Sequence, residues 1–329
     1  MVEMILVTGA GGGVGRGVAR RLAEGGEKVR AFVKNEEQAR VARADGAAEV
    51  VIGDIRSTDD VVGAVPGVAR VFHVCPTAVV REVAIAEGLI AAARANDVEH
   101  IVFNSVIHPE IKELPHHQEK LRVEALLHAS DVPATVLRPS HFMQNYLDFW
   151  DLMLAGTLPY PSSPNSVMGV VDAEDIGEVG AMITASPHGH AGKTYDLSTQ
   201  ELTRHEMAAI WSGVLGHSVS AVRLPPTAVK SPLQGVGAAA TIVAKSLAST
   251  KTHALGSIVR GLAGSSNTRG VRNWPEESKD CYVAMMSYYD TVGLPAGNMT
   301  VLPELLGRPA TSYREFAARE AARRGATVG

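Results

Sequence analysis

At 329 residues the chain is long enough for about two domains of ~150 residues each and for a large core without disulfide staples. Hydrophobic residues make up 46% and charged residues 20%, which excludes disordered, collagen-like and disulfide-framework classes. Lys and Arg number 31 against 35 Asp and Glu, a formal charge of −4, so direct nucleic-acid binding is not expected. Cys75 and Cys281 match no metal-ligand or Cys-x-x-Cys spacing and read as reduced thiols of a cytoplasmic protein. The apolar run at residues 4–7 is too short for a signal peptide. Residues 235–244 end at Lys245, short of the ~18 residues of a membrane span.

Residues 4–8 form a mostly apolar run leading into glycines, the pattern of a strand buried on both faces. Over residues 14–24, Val14, Val18 and Leu22 recur every fourth position, as on one helix face. A second strand is expected at 29–33. Asn35 then opens a helix, with Gln38 completing a capping-box pattern. Further strands are expected at 49–52, 68–74, 100–103 and 134–137, with helices centred near Val61, Leu89 and Leu121 between them. This alternation implies an α/β fold, a Rossmann-type doubly wound parallel sheet.

After Pro139 the rhythm breaks, with Gly156, Pro159, Pro161 and Pro164 close together. Short strands are expected at 167–171 and 195–197, a helix at 173–184, a mostly helical stretch at 227–262 and a last helix at 312–324. The expected organisation is a nucleotide-binding domain over residues 1–155, joined by the strand near 195–197, and a smaller, partly helical substrate-covering region over 156–329.

The segment Gly9-Ala10-Gly11-Gly12-Gly13-Val14-Gly15 lies between the first strand and the first helix, with Gly9, Gly12 and Gly15 in G-x-x-G-x-x-G spacing. Glycines there allow a sharp turn, close approach of backbone to a pyrophosphate and tight helix–sheet packing, while the helix N–H groups face the phosphates. Dinucleotide binding is the expectation. The second strand ends Val33-Lys34-Asn35, without the acid that holds ribose hydroxyls in NAD-selective folds, and Lys34 can pair with a 2′-phosphate. NADP(H) is therefore expected over NAD. Asp54 and Ile55 after the third strand reach the adenine edge, and Pro76 after the fourth lies at the ligand rim. The histidines form no metal-ligand cluster by spacing, so no metal is expected: His116 and His117 are adjacent and point ~100° apart on a helix.

The run Val7 to Gly15 resembles the NmrA-like family of atypical short-chain dehydrogenases/reductases. So do Gly53-Asp54-Ile55, His116-His117-Gln118-Glu119-Lys120 with Glu124, Leu137-Arg138-Pro139-Ser140-His141-Phe142-Met143-Gln144-Asn145, Tyr288-Tyr289-Asp290, and Leu305-Leu306-Gly307-Arg308-Pro309 through Phe316. The resemblance implies NADP(H) binding, in a family ranging from quinone, azo-dye and triphenylmethane reductases to redox sensors that bind protein partners. Conventional relatives use a Tyr-x-x-x-Lys pair and a serine. Here Lys120 matches the lysine, His116 stands in the tyrosine's place and Ser105 near the serine's. Lys120 would hold the nicotinamide ribose. An unperturbed histidine at pKa ~6.5 is suited to donate a proton near neutrality, and the lysine charge would depress that value. Phe142, Asn145 and Tyr146 are expected in an apolar substrate pocket. The expected function is an NADPH-dependent reductase of an electron-poor small molecule (quinone, carbonyl, imine or azo compound), without nucleic-acid or membrane partners and leaving a homodimer open. The alternative is an NADP(H)-sensing regulator that binds a protein partner. Loss of the tyrosine favours the sensor and retention of Lys120 the enzyme.

Overall fold

Ile5, Leu6 and Val7 are closed off from solvent completely, and they belong to an interior strand of the molecule's main sheet. The computed structural model describes residues 3–326 apart from 78, 231, 250–253, 266–270 and 272. Strand β1 (Met4–Val7) is followed by α1 (Gly13–Glu24), β2 (Lys28–Val33), α2 (Glu36–Ala44), β3 (Glu49–Ile52), α3 (Thr58–Gly63) and β4 (Arg70–His73). Then come α4 (Glu82–Ala95), β5 (His100–Asn104), α5 (Pro115–Ala129), β6 (Ala134–Pro139) and β7 (His141–Phe142). A 3-10 segment (Met143–Phe149) leads to α6 (Trp150–Leu154), β8 (Thr157–Tyr160), β9 (Met168–Val171), α7 (Ala173–Ala185) and β10 (Thr194–Leu197). The rest comprises β11 (Gln200–Leu202), α8 (Arg204–Leu215), β12 (Ser220–Arg223), α9 (Pro232–Ser249), α10 (Ala254–Ser265), α11 (Glu276–Thr291), α12 (Val301–Leu306) and α13 (Tyr313–Arg323).

Seven strands form one sheet in the order β10-β6-β5-β4-β1-β2-β3, every pair parallel. Strand order reverses between β1 and β4, so the carboxyl ends of these two neighbours frame the crevice where such sheets take ligands. Val14, Val18 and Leu22 of α1 are buried, as their spacing predicts. One core cluster joins Leu6, Phe32, Val71, Leu89, Ile101, Phe103, Val123 and Val136 across the strands and the flanking helices.

The chain divides into two compact units. The first holds the residues up to Pro139, Ala173–Leu197 and Asn298–Ala310; the second holds Ser140–Asp172, Ser198–Gly297 and the residues from Thr311 onward. In the second unit β9 lies between β7, parallel, and β11, antiparallel, while β8 pairs with β12. Arg204 is fully buried there and donates to the carbonyls of Leu158, Val222 and Ser162, tying both strands of the β8–β12 pair together. The helical stretch expected over 227–262 is a 3-10 turn (Pro226–Val229) followed by α9 and α10; residues 231 and 250–253 within it lie outside the described residues. Among the described residues no helix is long and apolar enough to cross a membrane.

Candidate functional site

β1 ends against β4: Thr8 N–H donates to the Phe72 carbonyl at 3.0 Å, and Val74 N–H donates to Thr8 Oγ1 at 2.9 Å. The chain then turns at Gly9, whose φ of +60° is in the left-handed region and where a Cβ would lie 2.8 Å from the Val74 carbonyl. At Gly15 a Cβ would collide with the Gly9 carbonyl, so α1 can approach the loop this closely only with glycine at that position. The opposite side of the loop is open. A Cβ on Gly12 would meet only the Gly9 carbonyl, at 3.4 Å, and one on Gly13 nothing within 4 Å. Gly12 is also the N-cap of α1 and brings no side-chain acceptor, and the first turn holds no acid. A helix N-terminus left this bare fits a diphosphate group. Val14 is buried, so its side chain anchors the helix and its backbone is what it offers to a ligand.

Lys34 follows β2 and is exposed. Its backbone N–H donates to Gln38 Oε1 at 3.1 Å, while Asn35 caps α2 by accepting from Gln38 N–H at 3.0 Å. The expected capping box is thus half formed, because the Gln38 side chain reaches back to Lys34 and lies over Gly11, where a Cβ would strike its amide. The Asp54 carboxylate is held by Arg56, with Nη2 to Oδ2 at 2.6 Å, and this guanidinium keeps it below the usual carboxylate range. Ile55 is half-buried against the core and Pro76 is exposed beyond β4.

Behind the same sheet edge lies a chain of buried polar groups. Lys120 is 2% exposed; its Nζ donates to Glu82 Oε1 at 2.7 Å and to the Asn104 carbonyl at 3.1 Å, and sits 4.9 Å above the Phe103 ring. Glu82, the first residue of α4, is wholly buried. Burial pushes its carboxyl up and the Lys120 ammonium pulls it back. Cys75 Sγ lies 3.7 Å from His73 Nε2, and His73 Nδ1 meets Thr8 Oγ1 at 3.0 Å. Burial raises the Cys75 thiol and pushes the His73 imidazole down to about 3, so both are uncharged at neutrality. His73, Cys75 and Glu82 bring ligand-type atoms within 4.8 Å of one another, but the cation beside that carboxylate is Lys120 itself. Glu82 carries no distinctive mark in the sequence. Its one visible signal, an acid in the first turn of a helix, is generic.

His116, one turn before Lys120, is 7% exposed. Burial, then Lys120, then His117 push its pKa well below 6.5. A proton near pH 7 is therefore not available from an imidazolium here, because the environment removes the charged form that a solvent-exposed histidine would have. Ser105 is buried and donates to Glu124, which also accepts from Arg138.

In the second unit Phe142 and Asn145 are half-buried and Tyr146 is fully buried. The Asn145 amide lies 3.1 Å from His141 Nε2, and Tyr160 OH meets the same nitrogen at 3.0 Å. The Tyr146 ring packs 4.8 Å from that of Tyr160, and burial pushes its phenol up. His141 is visible in the sequence only as a member of the run from Leu137 to Asn145, and Tyr160 carries no signal there; the fold brings both beside Asn145 and Tyr146.

The family model described as NmrA-like family matches residues 1–256. The (4-alkanoyl-5-oxo-2,5-dihydrofuran-3-yl)methyl phosphate reductase of Streptomyces griseus is 30% identical, over 97% of this chain and 98% of its own. The NAD(P)H azoreductase of Xenophilus azovorans is 27% identical, over 98% of this chain and 100% of its own. Among solved structures, an NADPH-dependent quinone oxidoreductase of Escherichia coli complexed with NADPH superposes with a TM-score of 0.71 at 21% identity, covering 96% of this chain and 99% of that one.

Proposed function

The chain belongs to the NmrA-like family, and on that premise we propose that it is an NADPH-dependent reductase acting on an electron-poor small molecule such as a quinone, azo compound, imine or conjugated carbonyl. The observation that carries the reading is the β1–loop–α1 unit, packed tight at Gly9 and Gly15 and open at Gly12 and Gly13, at a helix end with neither side-chain cap nor acid. Full-length relatives named as reductases of an azo group and of an unsaturated furanone phosphate support the acceptor class.

In this reading the N–H groups of Gly13 and Val14 bind the diphosphate, with Gly9, Gly11 and Gly15 shaping the turn and the Gly12 N–H closing it on the Gly9 carbonyl at 2.9 Å. Lys34 pairs with the 2′-phosphate, and Asp54, Ile55 and Pro76 border the adenosine and the sheet edge. When bound, the dinucleotide supplies a hydride. An ammonium has three N–H donors and Lys120 spends two on Glu82 and Asn104, which leaves one for the nicotinamide ribose. Phe142, Asn145 and Tyr146 line the acceptor pocket. His116, neutral at pH 7, is a polar neighbour of Lys120 without an acid role, and water supplies the proton. The test is NADPH oxidation against a panel of quinones, azo dyes and activated carbonyls. Turnover supports the reductase; no turnover across the panel, together with a protein partner captured only in the presence of NADP(H), replaces it with a cofactor-sensing regulator.

A further inference from the structure

The Lys120–Glu82 pair is buried, Lys120 at 2% exposed and Glu82 at 0%, and among the described residues Glu82 is the carboxylate that meets this ammonium. The two side chains come from different helices, α5 and α4, and meet behind the carboxyl end of β5, where the Asn104 carbonyl accepts the second Lys120 hydrogen bond. Glu82 also stands at the N-terminus of α4, where the helix dipole favours a negative charge. The Phe103 ring, the Cys75 thiol and the His73 imidazole beside the pair are uncharged, and the Glu119 carboxylate that also acts on Glu82 has its own cation, Arg122, at 2.7 Å. The pair is therefore neutral as a unit, in a setting where a lone charge acts over a long range because little water screens it.

Neutrality has a consequence for a nicotinamide at this edge, which is cationic when oxidised and neutral when reduced. An uncompensated lysine would repel only the oxidised form. We propose that Glu82 is a positioning residue acting through Lys120: its carboxylate fixes the ammonium and cancels its charge, so that the oxidised cofactor is held about as firmly as the reduced one. This rests on the reading that the crevice takes NADP(H).

Equilibrium titrations of NADPH and NADP+ test it on the full chain, using the parent, Glu82→Gln and the double variant Glu82→Gln/Lys120→Met, with a thermal melt of each. Glu82→Gln keeps the shape and an acceptor oxygen but removes the charge. The ratio of the NADP+ to the NADPH dissociation constant should rise about tenfold, which for a two-electron couple raises the potential of the bound cofactor by ~30 mV. The double variant, neutral again, should return the ratio to within about twofold of the parent, even though it loses a ribose contact that both cofactor forms share. A purely structural role moves both constants together and leaves the ratio alone; that result overturns the proposal. Should Glu82→Gln not fold, Glu82→Met, which also removes the charge and keeps the length of the side chain, takes its place: a tenfold rise in the ratio supports the proposal and an unmoved ratio overturns it. A parent that binds neither nucleotide removes the functional reading itself, whereas a parent that binds both, with an unmoved ratio in the variants, removes only the role of Glu82.

Discussion

Ser105 donates its hydroxyl to Glu124 at 2.5 Å, and the same carboxylate takes the Arg138 guanidinium through Oε1 and Oε2. The serine that stands where a catalytic hydroxyl would be expected is thus committed to an internal carboxylate that braces α5 against β6. Glu124 is 2% exposed, so its removal strands both partners. Glu124→Ala should destabilise the fold by about 3 kcal/mol, the low end for breaking a buried pair because Arg138 keeps some contact with solvent. Ser105→Ala should cost about 1 kcal/mol and leave turnover within about threefold. Urea unfolding and steady-state rates check both; a hundredfold loss of rate in Ser105→Ala would return the serine to the chemistry.

Gly12 and Gly15 should respond in opposite ways. Gly12 has an extended backbone, with φ of −94°, and open space at its Cβ position, so Gly12→Val should melt within a few degrees of the parent. Its side chain then occupies the space of the diphosphate, and NADPH affinity should fall by at least about a hundredfold. Gly15→Ala drives a methyl into the Gly9 carbonyl and should cost about 2–3 kcal/mol of stability before any ligand is added. Melting curves with and without NADPH separate the two.

Lys34 should set the preference between phosphorylated and unphosphorylated cofactor. Lys34→Ala should weaken NADPH about tenfold, or ~1.4 kcal/mol, and leave NADH unchanged. Raising the salt concentration should shrink the difference in the parent and not in the variant. Equal parental affinities for NADPH and NADH would remove the assignment.

Four histidines are held neutral by burial, with His73 at about 3, His100 and His117 at about 4, and His116 well below its ordinary value. The unfolded chain takes up protons on these rings below pH ~6.5 while the folded chain does not, so stability is full above that pH and falls as the pH drops below it. Each ring contributes up to about 1.4 kcal/mol per pH unit until its folded pKa is reached. Urea midpoints between pH 7 and 4.5 should show a slope that His116→Phe reduces by one ring's share. The same variant should keep kcat within about threefold and keep the shape of its pH profile; a lost limb between pH 5 and 8 would identify His116 as the acid after all.

The nucleotide-binding half was legible because its signals are local. Val14, Val18 and Leu22 announce a helix face, and the glycines sit where β1 must stop. The lack of an acid at Lys34 is a one-residue observation. The second unit resisted because its elements are short and its pairings distant: β7 has two residues, and β8 finds β12 about sixty positions away. Helix α8 does carry a signal, the Thr203–Glu206 capping box and a closing left-handed Gly216, but it stands amid prolines and glycines that mask it. The Lys120–Glu82 contact spans 38 positions and depends on two helices packing side by side, information that no window along the chain contains.

The interleaving of the two units bears on how the protein is made. Edge strand β10 pairs with β6 through Thr194 to Leu197, and Asn298–Ala310 belongs to the same unit. A ribosome that has delivered β6 must therefore synthesise all of β7 through α7 before the far side of β6 acquires its partner. During that interval Ala134, Val136 and Leu137, all buried in the finished protein, lie on a strand with one row of backbone groups unpaired. Nascent chains stalled between residues 140 and 193, or fragments cut there, should self-associate through that edge, whereas chains extended past Leu197 should not.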